Sequence, residues 1–421
     1  MGSTKNSTYN AAPYDVVVIG GGASGLLTAG EAAKRGLNTV LLEKNSRLGV
    51  KLRITGKGRC NLTNDCAVTE ILENIPTGGR FLYSALNAFT PKDAMAYFEN
   101  LGVPLKTERG GRVFPVSNRA PDIAEALIKN ARLSGVKIKK GAATTIATKD
   151  GRVAGVVTSE GFIPCRAVVL CTGGVSYPLT GSTGDGYAIS SSLGHTIIPP
   201  KPSLVPLCTQ PEICSRMQGL ALKNVRLTVS DGGKKPIFSD FGEMLFTHFG
   251  VSGPIVLSAS AHMRAFESKK YTISIDLKTA LDAQKLDARI LRDFDKYSNR
   301  DFQNALGDLA PKTMIPVLVE LSGIAPEEKV HSITRDERKR LVNLLKDFKL
   351  EIDGPSPIAE AIITSGGVAT SEINPKTMAS KIVGGLYFAG EIMDLDAYTG
   401  GFNLQIAWST AYAAASHIEV E

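Results

Sequence analysis

The chain has no long apolar run. Nowhere do the ~18 consecutive apolar residues of a membrane-spanning helix occur, so no membrane partner is expected. The start, Met1-Gly2-Ser3-Thr4-Lys5-Asn6-Ser7, is polar and lacks the apolar centre of a secretory signal. It has the outline of an N-myristoylation start, but Asn6 stands where Ser or Thr is required. Residues 1–12 are read as a disordered tail. No Cys-x-x-Cys occurs among the six cysteines, Cys60, Cys66, Cys165, Cys171, Cys208 and Cys214. They are expected as reduced thiols, and the location as cytoplasmic. Cys60 and Cys66 are the one candidate redox pair, at a wider spacing than usual dithiols. The five histidines are scattered, so no metal site is expected. Internal repeats, heptads and low-complexity tracts are absent, which excludes solenoids and coiled coils. Net charge is only +7, a mild bias toward anionic partners.

What is present is a glycine pattern at each end. A chain of 421 residues is ample for two or three domains. Tyr14 to Ile19 reads as a short buried parallel strand and residues 23–35 as a helix. Between them lies Gly20-Gly21-Gly22-Ala23-Ser24-Gly25. Gly20 permits the sharp turn, Gly22 lets a pyrophosphate approach the backbone, and Gly25 lets helix and strand pack closely. The free N–H groups of the helix start, at Ala23 and Ser24, favour an anion. The next apolar run, Thr39 to Leu42, ends at Glu43, whose carboxylate suits a ribose diol. Near the other end, an apolar strand at 385–389 leads into Gly390-Glu391, followed by Gly400-Gly401-Phe402-Asn403-Leu404-Gln405. The two motifs together imply FAD held by both ends of the chain.

Two further glycine-rich segments call for the same explanation, one around Gly56-Lys57-Gly58-Arg59-Cys60-Asn61 and one from Thr172-Gly173-Gly174 to Gly186. A flat polar ring needs walls of close backbone and hydrogen-bonding side chains. The helix expected over 402–415 would bring its N-terminus to the negative charge of a reduced flavin. The expected cofactor residues are therefore Gly20, Gly22, Ala23, Ser24, Gly25, Glu43, Lys44 and Lys51. To these are added Gly58, Arg59, Cys60, Asn61, Gly173, Gly174, Gly390, Glu391, Gly401, Phe402, Asn403, Leu404 and Gln405. Lys44, Arg47, Lys51, Arg53, Lys57 and Arg59 crowd one loop. That loop is either a solvated face neutralising the FAD phosphates or a contact for a phosphate-bearing substrate.

The fold class expected is α/β. A Rossmann-like FAD-binding domain is built from both chain ends, with an inserted antiparallel barrel-like domain that carries a small helical subdomain. The boundaries are 13–195 with 355–421 for the FAD domain, 196–280 with 349–354 for the barrel, and 281–348 for the helical insert. Ile198-Pro199-Pro200-Lys201-Pro202 reads as a connector. Leu341, Leu344, Leu345 and Phe348 fall on one face of a single helix.

At these motifs the chain resembles the bacterial FAD-dependent NAD(P)H oxidoreductase flavoproteins. That family includes bile-acid Δ4,6-reductase, aminoacetone oxidase and 23S ribosomal RNA dihydrouridine synthase. The resemblance rests on Lys51-Leu52 through Asn61 with Thr63-Asn64, Gly111 to Pro115, Gly173 to Pro178 with Thr180 to Gly186, Gly242 to His248 with Gly250 to Pro254, and the C-terminal glycine block. Val50 departs from the pattern, since a basic residue usually precedes Lys51. The resemblance implies FAD, with NADH or NADPH as electron source. It leaves the substrate open.

The reaction expected is reduction of an activated carbon–carbon double bond in a small enone, such as a 3-oxo steroid or bile acid. The alternatives are a uracil ring in ribosomal RNA, an amine oxidised with release of peroxide, and flavin binding without catalysis. Candidate proton donors are Cys60, Tyr177, His248 and Tyr398. Each has a plain structural alternative, as a packed ring, a satisfied hydrogen bond or a buried thiol. Only one dinucleotide fingerprint is present, so nicotinamide would bind transiently and ping-pong kinetics would follow.

Overall fold

A computed structural model describes residues 13–209 and 211–420. The expected tail, residues 1–12, lies outside them. The chain divides into two compact units. One contains the chain up to Lys201 and from Ile362 onward, and the other is Pro202–Ala361.

The first unit is organised by one sheet. Its parallel part runs Lys137–Lys140, Thr39–Glu43, Tyr14–Ile19 and Gly161–Leu170, with Leu386–Phe388 also pairing with Gly161–Leu170. Val18 lies opposite Leu41 on one side and Val169 on the other, so the central strand is covered by β-branched and aliphatic neighbours. Val16, Val17 and Val18 are fully buried, as a parallel strand covered on both faces requires. The ten-residue strand Gly161–Leu170 has two roles. Its first half pairs antiparallel with Arg152–Thr158, which continues into Ala143–Lys149, and its second half joins the parallel sheet.

The helix Ala23–Lys34 packs beside the C-terminal helix Phe402–His417. The latter is rich in alanine and buried nearly all round, so it is a core helix and not a surface one. Cross-links between the chain ends fix this pair. Ser24 Oγ donates to the Ala389 carbonyl at 3.3 Å and Thr28 Oγ1 to the Ala411 carbonyl at 3.4 Å. Trp408, the one tryptophan, is fully buried. Its indole N–H donates to the Leu62 carbonyl at 2.9 Å and its ring meets Phe98 edge-on.

The second unit is a closed antiparallel barrel with helices. The strands run Leu207–Thr209, Gly250–Ser252, Phe238–Phe246, Ala221–Ser230, Tyr271–Asp276 and Phe348–Pro355, and the last pairs with the first. Alternating burial along Tyr271–Asp276 and from Phe348 to Asp353 gives each strand an inward apolar face. The helices Ala283–Lys296, Ile315–Ser322 and Arg335–Lys346 add Leu286, Ile290, Phe294, Val317, Leu318, Leu341 and Leu345 to the same core. Each fully buried aliphatic side chain contributes about 1.5–3 kcal/mol. Thr334 and Glu337 form a reciprocal cap at the start of Arg335–Lys346.

Two local expectations differ from the structure. The proline-rich segment is not a connector. Ile197–Ser203 is a strand that pairs with Ile363–Val368 in a separate two-stranded sheet. Prolines are tolerated there because a two-stranded pair leaves one edge without a ladder. This pairing joins residues 197–201 to the strand Ile363–Val368 within the first unit, which runs to Lys201 and resumes at Ile362. Phe348 does not end the helix. The helix stops at Lys346 and Phe348 opens a barrel strand, still fully buried. An i, i+3, i+4, i+7 pattern could not distinguish one more helical turn from the first inward residue of a strand.

Candidate active site

The turn after the first strand shows why each glycine stands where it does. Gly20 has φ +105°, and a side chain there would lie 2.5 Å from the Cys171 carbonyl. A Cβ on Gly25 would lie 1.8 Å from the Gly20 carbonyl oxygen, so helix and strand touch through this residue. A Cβ on Gly22 would meet nothing within 4 Å. Gly22 therefore lines open space while its neighbours are packed. It is also the N-cap of Ala23–Lys34 and offers no side-chain cap, so the first amides of that helix are left for an external acceptor.

Glu43 closes the cradle. Its Oε2 accepts from Gly21 N at 2.6 Å and its Oε1 from Asn45 N at 2.7 Å. Both oxygens are thereby aimed, and each keeps a lone pair for a hydroxyl donor. These features fit the adenosine and pyrophosphate of a dinucleotide.

A second network ties distant parts of the unit together. Lys51 Nζ donates to Glu391 Oε2 at 2.7 Å and to Ser176 Oγ at 2.7 Å. Ser176 Oγ and Thr364 N both donate to Glu391 Oε1 at 2.9 Å. Thr364 Oγ1 in turn accepts from Val175 N and Ser176 N. A side chain on Gly174 would collide with Thr364 Oγ1, at 2.3 Å, which explains that glycine. Ser176 and Thr364 did not stand out in the sequence. Ser176 lay inside a recognised motif, whereas Thr364 carried no signal, because its role comes from packing alone.

The glycine-rich segment after Lys51 is a helix that breaks. Val50–Gly58 loses helical geometry at Thr55, Gly56 and Lys57, and Gly56, Lys57, Gly58 and Cys60 all take positive φ. A Cβ on Gly58 would meet nothing within 4 Å, so it too borders open space. Arg59 is locked by Glu108 and Asn118 and lies over the Phe114 ring. Lys44 is bound by Asp185 and Thr183. Cys60 is fully buried, and burial pushes its thiol up to about 12 against a hydrogen bond with Thr55. Cys66 rises to about 11 through burial and the nearby Glu70 and Asp65. Both are thiols at neutral pH.

At the C-terminal block, side chains and backbone divide the work. Asn403 pairs with Ala397 through both its amide atoms, accepting from Ala397 N at 2.9 Å and donating to Ala397 O at 2.7 Å. Gln405 accepts from Thr63 Oγ1 at 2.6 Å and donates to the Phe89 carbonyl at 2.9 Å. Both side chains hold the protein together. What the block leaves over is the uncapped start of Phe402–His417, whose N-cap Gly401 is at φ +103° and whose Cβ would strike Thr63. Gly390 is similarly pressed against Ser24.

Among the described residues of this unit, three buried side-chain oxygens lack a protein partner: Asn61 Oδ1, Thr172 Oγ1 and Tyr187 OH. Two belong to the glycine-rich segments expected to wall the flavin, and a ring edge bearing donors and acceptors would satisfy them. Tyr187 was not singled out in the sequence. Burial, then the charges of Glu391 and Asp394, raise its pKa, so it keeps its proton.

The four candidate proton donors are not equivalent. Tyr177 is half-buried in left-handed geometry at φ +51°, starting the short turn Pro178–Thr180. Tyr398 is half-buried, and its backbone N donates to the Asn74 carbonyl. Cys60 is enclosed. His248 belongs to the second unit, edge-on to Phe249.

The sequence profile of the HI0933-like protein Rossmann domain matches residues 14–417. The chain belongs to the HI0933-like family. This is a family of FAD-dependent oxidoreductases. Among its relatives is the 3-dehydro-bile acid delta(4,6)-reductase of Clostridium scindens, 31% identical over 402 residues, covering 94% of this chain and 97% of the relative. Another is the ribosomal RNA dihydrouridine synthase of Haemophilus influenzae, 31% identical over 409 residues, covering 96% and 98%. The structure of 3-ketosteroid delta1-dehydrogenase from Sterolibacterium denitrificans aligns with a TM-score of 0.53 at 14% identity, covering 97% of this chain and 99% of that one, a likeness of fold. Among the described residues no helix is long and apolar enough to cross a membrane.

Proposed function

We propose that this HI0933-like protein uses NADH or NADPH to reduce the activated double bond of a small enone, of the 3-oxo steroid or bile-acid class. FAD, when bound, supplies hydride transfer between the nicotinamide and the substrate. The chain supplies the rest. Gly22 and the free amides of Ala23–Lys34 take the pyrophosphate, and Glu43 takes the ribose hydroxyls. Asn61 and Thr172 present unpaired polar atoms to the ring edge, and the amides that open Phe402–His417 offer positive charge. Tyr177 or Tyr398 holds the proton that completes reduction.

The observation that carries the choice of a small substrate is the state of the basic loop. Of its six cations, Lys44, Lys51, Arg53 and Arg59 are each bound to a carboxylate, Asp185, Glu391, Glu125 and Glu108 respectively. A loop with four of its six cations already paired within its own protein is a poor track for a phosphate backbone. The similarity to the bile-acid reductase supports the same class. Ribosomal RNA is the second reading, favoured by a relative of equal identity and similar coverage.

The test is anaerobic. The FAD-loaded protein is bleached with NADH or NADPH, then offered a 3-oxo-Δ4 bile acid and, separately, unmodified ribosomal RNA. Reoxidation by the enone, with an apparent affinity that varies little with salt, is expected. No bleaching by either nicotinamide, or reoxidation by RNA alone with a steep salt dependence, would overturn the proposal.

A further inference from the structure

Tyr177 stands in a conformation that tyrosine rarely adopts. Its φ is +51° and its ψ +61°, the left-handed region, where a side chain crowds its own backbone. Glycine enters that region freely, and the same segment places Gly173, Gly181 and Gly184 at φ +72°, +99° and +83°. Asn118, Asp150 and Asn224, elsewhere at positive φ, are of the types that tolerate it. A tyrosine persists there only where its surroundings over-determine it, and such strain clusters at active sites.

The surroundings are a clamp on the two residues before it. Thr364 is fully buried, and its Oγ1 accepts from Val175 N at 2.9 Å and from Ser176 N at 3.1 Å. Ser176 Oγ donates to Glu391 Oε1 and accepts from Lys51 Nζ, so that side chain is fixed as well. On the far side Thr180 closes the turn, donating to the Tyr177 carbonyl through N at 2.8 Å and Oγ1 at 2.7 Å. The clamp lies at the carboxyl ends of parallel strands. Gly161–Leu170 leads toward Ser176, and Leu386–Phe388 leads into Gly390-Glu391. Gly161–Leu170 also flanks Tyr14–Ile19, whose carboxyl end opens into the glycine turn at Gly20. Open α/β sheets bind their ligands outside these strand ends. Tyr177 is presented there half-buried. Among the described residues its hydroxyl has no protein partner, yet it is not sealed in the interior as that of Tyr187 is. The backbone of Tyr398 carries no such strain.

We propose, on the enone reading above, that Thr364 and Glu391 are positioning residues that hold Tyr177 as the proton donor of the reduction. The O–H bond of Tyr177 breaks as a C–H bond forms at the carbon α to the substrate carbonyl, whose enolate electron pair takes the proton. The phenolate recovers a proton from water. The hydride at the β carbon comes from NADH or NADPH by way of bound FAD. The strain is the cost of aiming a phenol where a glycine would turn the chain more cheaply. Thr364 acts only through the backbone it fixes, and Glu391 only through Ser176.

The FAD-loaded protein is reduced anaerobically with dithionite, so that nicotinamide plays no part, and mixed with a 3-oxo-Δ4 bile acid while flavin absorbance is followed. Tyr177→Phe should slow reoxidation at saturating enone about a hundredfold or more, the usual worth of a general acid. The enone concentration at half-saturation should change little. Thr364→Val keeps the shape and removes the acceptor, and should reproduce that split in milder form. Thr364→Ser should restore the rate. A second measurement reads the clamp without catalysis, by urea unfolding of the FAD-free proteins. Tyr177→Gly should unfold at higher urea than Tyr177→Ala, because only glycine relieves left-handed strain. In the Thr364→Val background that difference should vanish. If the enone fails to reoxidise the parent protein, the enone reading falls and this assignment with it. A responsive parent with an equally fast Tyr177→Phe variant would overturn this assignment alone. So would slowing in Tyr398→Phe in place of Tyr177→Phe, or equal stability of the glycine and alanine variants.

Discussion

Gly22 and Gly25, three residues apart, should respond in opposite ways to the same methyl group. At Gly22 the backbone sits at φ −84°, ψ −161°, which alanine adopts freely, and the new Cβ meets no protein atom within 4 Å. Gly22→Ala should therefore leave the stability of the FAD-free protein within about 0.5 kcal/mol, or raise it slightly by restricting the unfolded chain. At Gly25 the Cβ would lie 1.8 Å from the Gly20 carbonyl oxygen, where only movement of the helix off the strand gives room. Overpacking of that kind costs about 1–3 kcal/mol or more, and it falls at the junction on which the cradle depends. FAD binding should fail in both variants for different reasons. In Gly22→Ala the methyl occupies space needed by the pyrophosphate, and a tenfold or greater loss of affinity corresponds to about 1.4 kcal/mol. The measurements are urea unfolding of the FAD-free proteins, followed through Trp408, and titration with FAD followed by quenching of flavin fluorescence. A Gly22→Ala protein that binds FAD as well as the parent would refute the placement of the pyrophosphate. A Gly25→Ala protein as stable as the parent would refute the close packing.

Replacing Glu43 with alanine removes the acceptor of Gly21 N and Asn45 N as well as the proposed ribose contact; FAD affinity should fall by roughly 1.5–3 kcal/mol, and an unchanged dissociation constant would limit Glu43 to bracing its loop. Trp408→Phe loses the hydrogen bond to Leu62 and leaves a void beside Phe98, so chemical denaturation followed by far-ultraviolet circular dichroism should show a loss of about 1–3 kcal/mol; an unaltered midpoint would count against a central role for this helix. His195 is buried between Glu372 and Ser380, with Nδ1 3.1 Å from Glu372 Oε2 and Nε2 2.8 Å from Ser380 Oγ. Burial lowers its pKa below the ordinary 6.5, although Glu372 pulls the other way. The unfolded chain then binds more protons than the folded one as pH falls below that value, so stability should drop on acidification from pH 7. Substituting His195 with glutamine should flatten that part of the profile, and an equally steep loss would assign the effect to other groups.

Much of the first unit was legible because its signals are local. A strand such as Tyr14–Ile19, the turn after it and the helix Ala23–Lys34 lie within one short stretch, and their glycines carry the reason for the turn on the chain itself. The carboxylate of Glu43 follows from the same logic, since strand length alone places it at the carboxyl end of its strand. Tertiary structure decided what local pattern cannot express. Lys51, Ser176, Thr364 and Glu391 are brought together from four separate segments, the first and last 340 residues apart. No periodicity records that meeting. Asn403 and Gln405 stand out by their polarity, but the protein groups their side chains meet, Ala397 for one and Thr63 and Phe89 for the other, come from packing. The same holds for the prolines of Ile197–Ser203 and for Phe348. Composition reads the first as a break and the second as a helical residue, and each became a strand because a partner strand from elsewhere in the chain lay beside it. Sequence fixes the conformations a segment can adopt cheaply, and contacts between distant segments choose among them.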